Sequence, residues 1–118
     1  MREHLHDTAT DCPTELAIGV VGQKWKLVII ERLCERTWRF GELQRSLTGI
    51  TARMLTRQLR ELEADGLVLR TVYPVVPPRV DYSMTPLGRS LEPVLAELRS
   101  WGEHYRAQQP TTVDDTAS

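Results

Sequence analysis

Six arginines, Arg36, Arg39, Arg45, Arg53, Arg57 and Arg60, stand between residues 36 and 60 against a single acid, Glu42. That window carries +5 in a chain of net charge −1, which leaves −6 for the remainder. Guanidinium groups bind phosphate oxygens, and they can bond the edge of guanine through two parallel hydrogen bonds. Charge gathered in this way suits a protein that meets a polyanion on one side only. A merely solvated arginine face is the simpler alternative. Further on, "YPVVPPRVDYSMTPLG" at 73–88 sets Arg79 at the end of a proline-rich stretch. Cys12, just before Pro13, is a third candidate: a thiol at a helix start feels the positive end of the helix dipole, which favours the thiolate. Asp11 and Glu15 push the other way, and a small inert residue is the plain alternative.

Other chemistries find no support. Two cysteines, Cys12 and Cys34, make neither a disulfide framework nor a zinc site, and Cys34 beside Leu33 is expected inside. His4 and His6 with Cys12 lack a fourth ligand, so no metal and no cofactor is expected. No nucleophile–base pair, glycine-rich phosphate loop or pair of framing carboxylates is seen, which argues against an enzyme. No apolar run approaches the ~20 residues of a membrane span. The opening "MREHLHDTATDCP" lacks the hydrophobic segment of a secretory signal, so a cytoplasmic chain without membrane contact is expected. With 118 residues, 41% apolar and 26% charged, the composition is that of one globular domain.

The elements that would position these groups follow from periodicity. Residues 1–11 read as a flexible arm, 12–109 as the folded domain and 110–118 as a disordered tail. "PTELAIGVVG" reads as a short helix with proline first and Gly22 as its stop. "QKWKLVIIERLCER" reads as a second, with Trp25, Val28, Ile29 and Leu33 inward and charges outward. Trp38 and Phe40 flank a short extended piece, and "FGELQRSLTG" gives two helical turns closed by Gly49. In "TARMLTRQLRELEADG", Thr51 is an N-cap and Gly66 a C-terminal stop. At about 100° per residue, Leu55, Leu59 and Leu62 share one face of this helix and Arg53, Arg57 and Arg60 the opposite one. "LVLRTVY" and "RVDYSM" read as strands joined into a hairpin, and Thr85 with Pro86 starts a last helix that Pro93 should bend.

A short helix, a turn at "TGI" and a basic-faced second helix form a helix-turn-helix. Thr51, Ala52, Arg53, Thr56 and Arg57 would reach base edges or flanking phosphates in a DNA major groove, and Arg39 and Arg60 would add further contacts to the duplex. The hairpin behind the basic helix reads as a wing that delivers Arg79 to a phosphate or a narrow minor groove on a proline-stiffened support. Pairing of Arg79 with a local carboxylate such as Asp81 is the alternative. The last helix, with Leu91, Leu95, Leu98, Trp101 and Tyr105, offers more apolar surface than a thin domain covers alone, so a homodimer is expected unless that helix packs back on the first two.

"CPTELAIGVVGQKWKLVII", "RFGELQRSLTGITARMLTRQLRELEADGLV" and the 73–88 stretch together resemble the signature blocks of the HxlR-type transcriptional regulators, winged-helix relatives of the MarR group. The resemblance runs from Cys12 to about Trp101. It implies a mostly α fold with a small β-hairpin, and a homodimer joined through the N- and C-terminal helices, with Leu16 on the first of them. Double-stranded DNA, as an imperfect palindrome, is the implied partner; a repressor is the expected sense, with an activator as the alternative. It also implies that Cys12 can sense oxidants, quinones or aldehydes, with an electrophile or small molecule as inducer. "GQKW" departs from the family pattern at Gln23, where a second glycine often stands. A winged helix that binds protein rather than DNA, and a regulator controlled by a non-covalent ligand, are the competing readings.

Overall fold

The computed structural model describes residues 12–110. The expected arm at 1–11, with His4, His6 and Asp11, and the tail from 111 onward lie outside the described residues. Among the described residues six helices and three strands follow in the order α1 (Pro13–Val21), α2 (Lys26–Glu35), β1 (Trp38–Arg39), α3 (Phe40–Ser46), α4 (Ala52–Ala64), β2 (Val68–Tyr73), β3 (Arg79–Met84), α5 (Pro86–Arg89) and α6 (Glu92–Gln108). This is a mostly helical fold with a small antiparallel sheet.

The core forms where helical stripes meet the sheet. Ile29, Ile30 and Leu33 of α2, Leu43 of α3, and Leu55, Leu59 and Leu62 of α4 are buried together with Leu47, Ile50, Leu67, Val68, Tyr82 and Met84. The inward stripe of α2 lies slightly off the expected one: Lys26 and Ile30 are fully buried, whereas Trp25 and Val28 are half-buried. β3 runs through the middle of the sheet, paired antiparallel with β1 on one side and β2 on the other. The expected hairpin is thus β2–β3, in a register that sets Val68 opposite Met84 and Tyr73 opposite Arg79. Trp38 and Arg39 add a third strand by pairing with Tyr82 and Asp81.

Two joints decide how the helices meet. Gly49, between α3 and α4, has φ +93°, and Gly66, after α4, has φ +82°, a region in which a side chain would be strained. The Thr85 hydroxyl donates to Gly66 O at 2.6 Å and accepts from Gly88 N at 3.0 Å, tying the start of α5 to the end of α4.

The single bent helix expected after Thr85 is two helices. α5 ends at Arg89, and α6 starts at Glu92 with Pro93 in its first turn. A proline there removes an N–H that no helical bond would use, so Pro93 starts a helix instead of bending one.

Candidate nucleic-acid interface

The outer face of α4 follows from its capping and its stripe. Thr51 Oγ1 accepts from Met54 N at 3.1 Å, which satisfies a donor of the first turn and sets where α4 begins. The three leucines on the inward face leave Arg53, Arg57 and Arg60 exposed on the other. Arg53 and Arg60 make no ion pair with any described residue. Arg57 has one: its Nε lies 3.7 Å from Glu61 Oε2, with the Arg57 side chain 69% exposed. An exposed pair one helical turn apart at that distance contributes little, about 0.3–0.5 kcal/mol at best, so Arg57 can leave it for a stronger anion. Arg53, Arg57 and Arg60 line a shallow open hollow of about 530 Å³ together with Phe40, Ala52, Thr56 and Glu61. Thr51 and Ala52 are exposed at the start of the helix, and Thr56 is half-buried one turn on.

Arg39 is exposed at the end of β1 and caps α3. Its backbone N–H donates to Glu42 Oε1 at 3.1 Å, and this bond, aided by the Arg36 guanidinium, holds the Glu42 carboxyl below its usual range. Arg36 itself is exposed and lies over its own loop, 3.6 Å from the centre of the Trp38 ring and bonded to Thr37 O.

Arg79 differs from the free tip expected of a wing. Its Nε and Nη2 each lie 3.0 Å from the two oxygens of Asp81, and its guanidinium stands 5.0 Å from the Tyr73 ring. The buried Asp81 carboxyl is held below its ordinary value by those bonds. The local-carboxylate alternative for Arg79 is therefore the one present, because alternate residues of a strand share a face and meet across two positions.

Cys12 caps α1 and is half-buried. The backbone N–H groups of Glu15 and then Thr14 beside its sulfur pull the thiol below its usual range, as expected at a helix start. For Cys34, burial and next the charge of Glu92 push the thiol up. The two thiols are thus shifted in opposite directions, Cys12 downward and Cys34 upward.

α6 presents Leu98, Trp101 and Tyr105 outward, the two rings stacked with centres 5.3 Å apart. Leu16 and Ile18 of α1 and Leu87 of α5 are exposed as well. Leu95 is different: at 6% exposure it belongs to the core of its own chain, and Leu91 is half-buried against that core.

One residue of the site was missed from sequence. Lys26, expected among outward charges, is fully buried and its Nζ lies 2.6 Å from Glu61 Oε1 on α4. The signal was present in the spacing. Lys26, Ile29, Ile30 and Leu33 recur at three-, four- and seven-residue intervals, which puts the lysine inside the apolar stripe.

With this geometry in hand, the family model described as HxlR-like helix-turn-helix matches residues 20–110. The uncharacterized HTH-type transcriptional regulator YybR of Bacillus subtilis is 45% identical over 105 residues, covering 89% of this chain and 84% of that protein. Among solved structures, the redox regulator HypR in its reduced form is 48% identical with a TM-score of 0.78, over 80% of this chain and 94% of that one. HypR in its oxidized form is 49% identical with a TM-score of 0.74, over 79% and 96% respectively. Each is a protein this chain is similar to along nearly its whole described length.

Proposed function

The chain belongs to the HxlR-like helix-turn-helix family, and from that premise we propose that it is a transcriptional repressor that binds a palindromic operator as a homodimer. The observation that carries this reading is the partition of α4, leucine inward and arginine outward, directly after the α3–α4 turn. An apolar or acidic outer face would have favoured a protein partner; arginine favours DNA.

In this reading α4 enters the major groove. Thr51, Ala52, Arg53, Thr56 and Arg57 face base edges and the nearest phosphates, while Arg39 and Arg60 contact the backbone. Arg79 serves the wing from its pair with Asp81. Leaving a partner offsets part of any gain, so its contribution is modest and indifferent to sequence. Arg79→Ala is expected to weaken binding to operator and random duplexes alike, by about three-fold, and to lower the slope of log affinity against log salt by roughly 0.9, one phosphate contact. A loss confined to the operator would assign Arg79 to base reading instead.

The dimer in this proposal forms through α1 and α6. Leu16, Leu98, Trp101 and Tyr105 are large apolar groups left to water by a single chain, with the half-buried Leu91 at the edge of the same face. A twofold arrangement would set two α4 helices 34–36 Å apart, about one turn of DNA.

Oxidant or electrophile sensing through Cys12 completes the proposal, supported by its lowered thiol and by the likeness to a redox regulator. Control by a non-covalent ligand has an observation of its own, a mostly apolar hollow of about 230 Å³ lined by Ala17, Val20, Val21, Leu67, Leu87 and Leu91 together with Asp65 and Ser90. One experiment tests the whole reading: footprinting on the DNA upstream of the chain's own gene, with and without diamide, for wild type and Cys12→Ser. Wild type is expected to protect two half-sites one turn apart and to lose them on oxidation, whereas Cys12→Ser keeps them. Equal release from both proteins removes Cys12 as the sensor, and no protected region removes the regulator reading.

A further inference from the structure

A carboxylate lies on the surface that should meet a polyanion. Glu61 borders the arginine hollow of α4, its side chain 21% exposed, with Oε2 3.7 Å from Arg57. Left to itself, that charge would repel DNA and draw Arg57 away from it. Its other oxygen, Oε1, is 2.6 Å from the ammonium of Lys26, a side chain with 0% exposure. Lys26 is the first residue of α2, a helix with no acid in its first turn. The positive end of the α2 dipole and the lysine charge therefore lie together, and the lysine reaches Glu61 on α4.

The pairing distances rank the partners. At 2.6 Å and out of water, Lys26 holds Glu61 far more strongly than an exposed Arg57 at 3.7 Å can. We propose that Lys26 is a positioning residue for DNA binding: its buried ammonium neutralises Glu61, docks α4 on the start of α2, and leaves Arg57 available to the nucleic acid. This deepens the DNA-binding reading and rests on it. Lys26 touches no DNA; it acts through Glu61 and the helix that carries it.

The test compares wild type, Lys26→Gln, and Lys26→Gln combined with Glu61→Gln. Each is titrated at fixed salt against two labelled duplexes, the region upstream of the chain's own gene and a scrambled one of equal length, with circular dichroism as the check on folding. Glutamine at 26 keeps a donor for Glu61 while removing the charge. Lys26→Gln is expected to bind both duplexes about ten-fold more weakly, and the second substitution to restore affinity to within about three-fold of wild type. A merely structural role predicts the opposite for the double variant, which loses the ion pair entirely and would stay weak.

Wild-type affinity in a folded Lys26→Gln overturns the proposal, and so does a folded double variant that remains ten-fold weak. Should Lys26→Gln alone fail to fold, the double variant decides: near wild-type binding supports the proposal. Failure of both to fold assigns the pair to folding alone and overturns it. Wild-type protein that binds neither duplex sinks the DNA reading itself, a result distinct from all of these.

Discussion

Arg53→Ala combined with Arg57→Ala is expected to weaken binding to the proposed operator sharply while leaving the fold intact. Both side chains lie on the exposed face of α4, away from Leu55, Leu59 and Leu62, so neither truncation opens a cavity. Surface changes of this kind usually stay within about 0.5 kcal/mol of stability. Their effect on binding is of another order. A good bidentate contact from arginine to guanine is worth roughly 1–3 kcal/mol of discrimination, and each tenfold in affinity is about 1.4 kcal/mol. Two lost contacts per subunit therefore predict a fall on the order of a hundred-fold or more for the operator. Binding to random duplex should fall less, with a salt slope shallower by roughly 0.9 for each phosphate contact removed. Mobility shift on both duplexes, at matched salt, is the measurement. An operator affinity within a few-fold of wild type would remove α4 from the DNA surface.

Leu98→Asp combined with Trp101→Asp is expected to separate the subunits of the proposed homodimer. In the single chain Trp101 is 61% exposed and stacked on Tyr105 of its own helix, and Leu98 is 47% exposed. Burying a large apolar side chain is worth about 1.5–3 kcal/mol, and a carboxylate in its place must be desolvated without a partner. Because a twofold interface carries each substitution twice, the dimer should dissociate at micromolar concentrations in sedimentation velocity. The monomer keeps its helices, since Leu95, buried in the chain's own core, is untouched, and the Arg99–Glu31 ion pair at 2.7 Å still ties α6 to α2. Operator affinity should drop at least a hundred-fold as two half-sites are no longer held by one particle. A variant that still sediments as a dimer would place the interface elsewhere.

These results separate into what a linear reading of the chain supplies and what it does not. The boundaries of α1 and α4 follow from capping residues and glycines, whereas α3 ends at Ser46, three residues short of Gly49, and the leucine–arginine partition of α4 follows from a helical period that needs no neighbours to be seen. The β2–β3 pair likewise follows from β-branched runs on either side of prolines. Each of these is local: the deciding residues lie within one element, where dihedral preference and periodicity act.

Other features were misread because residue type was allowed to outweigh position. Pro93 looked like a bend in one long helix, but the break at Ser90 and Leu91 moves it into a first turn, where proline is at home. Lys26 looked like a surface charge although its spacing placed it in the apolar stripe. Lysine is almost never buried without a partner, and its partner stands 35 residues away on another helix.

By itself, then, the order of residues determined the helix-turn-helix, its wing, and which helix carries the guanidinium face, since those depend on short-range periodicity and capping. Only the tertiary structure decided that Arg79 is held by Asp81, that Leu95 belongs to its own chain's core, and that Lys26 is sunk against Glu61. The physical reason is the same in all three. A side chain's surroundings depend on which elements pack around it, and an ion pair or a core contact forms only when that packing brings distant residues within a few ångströms and takes water away.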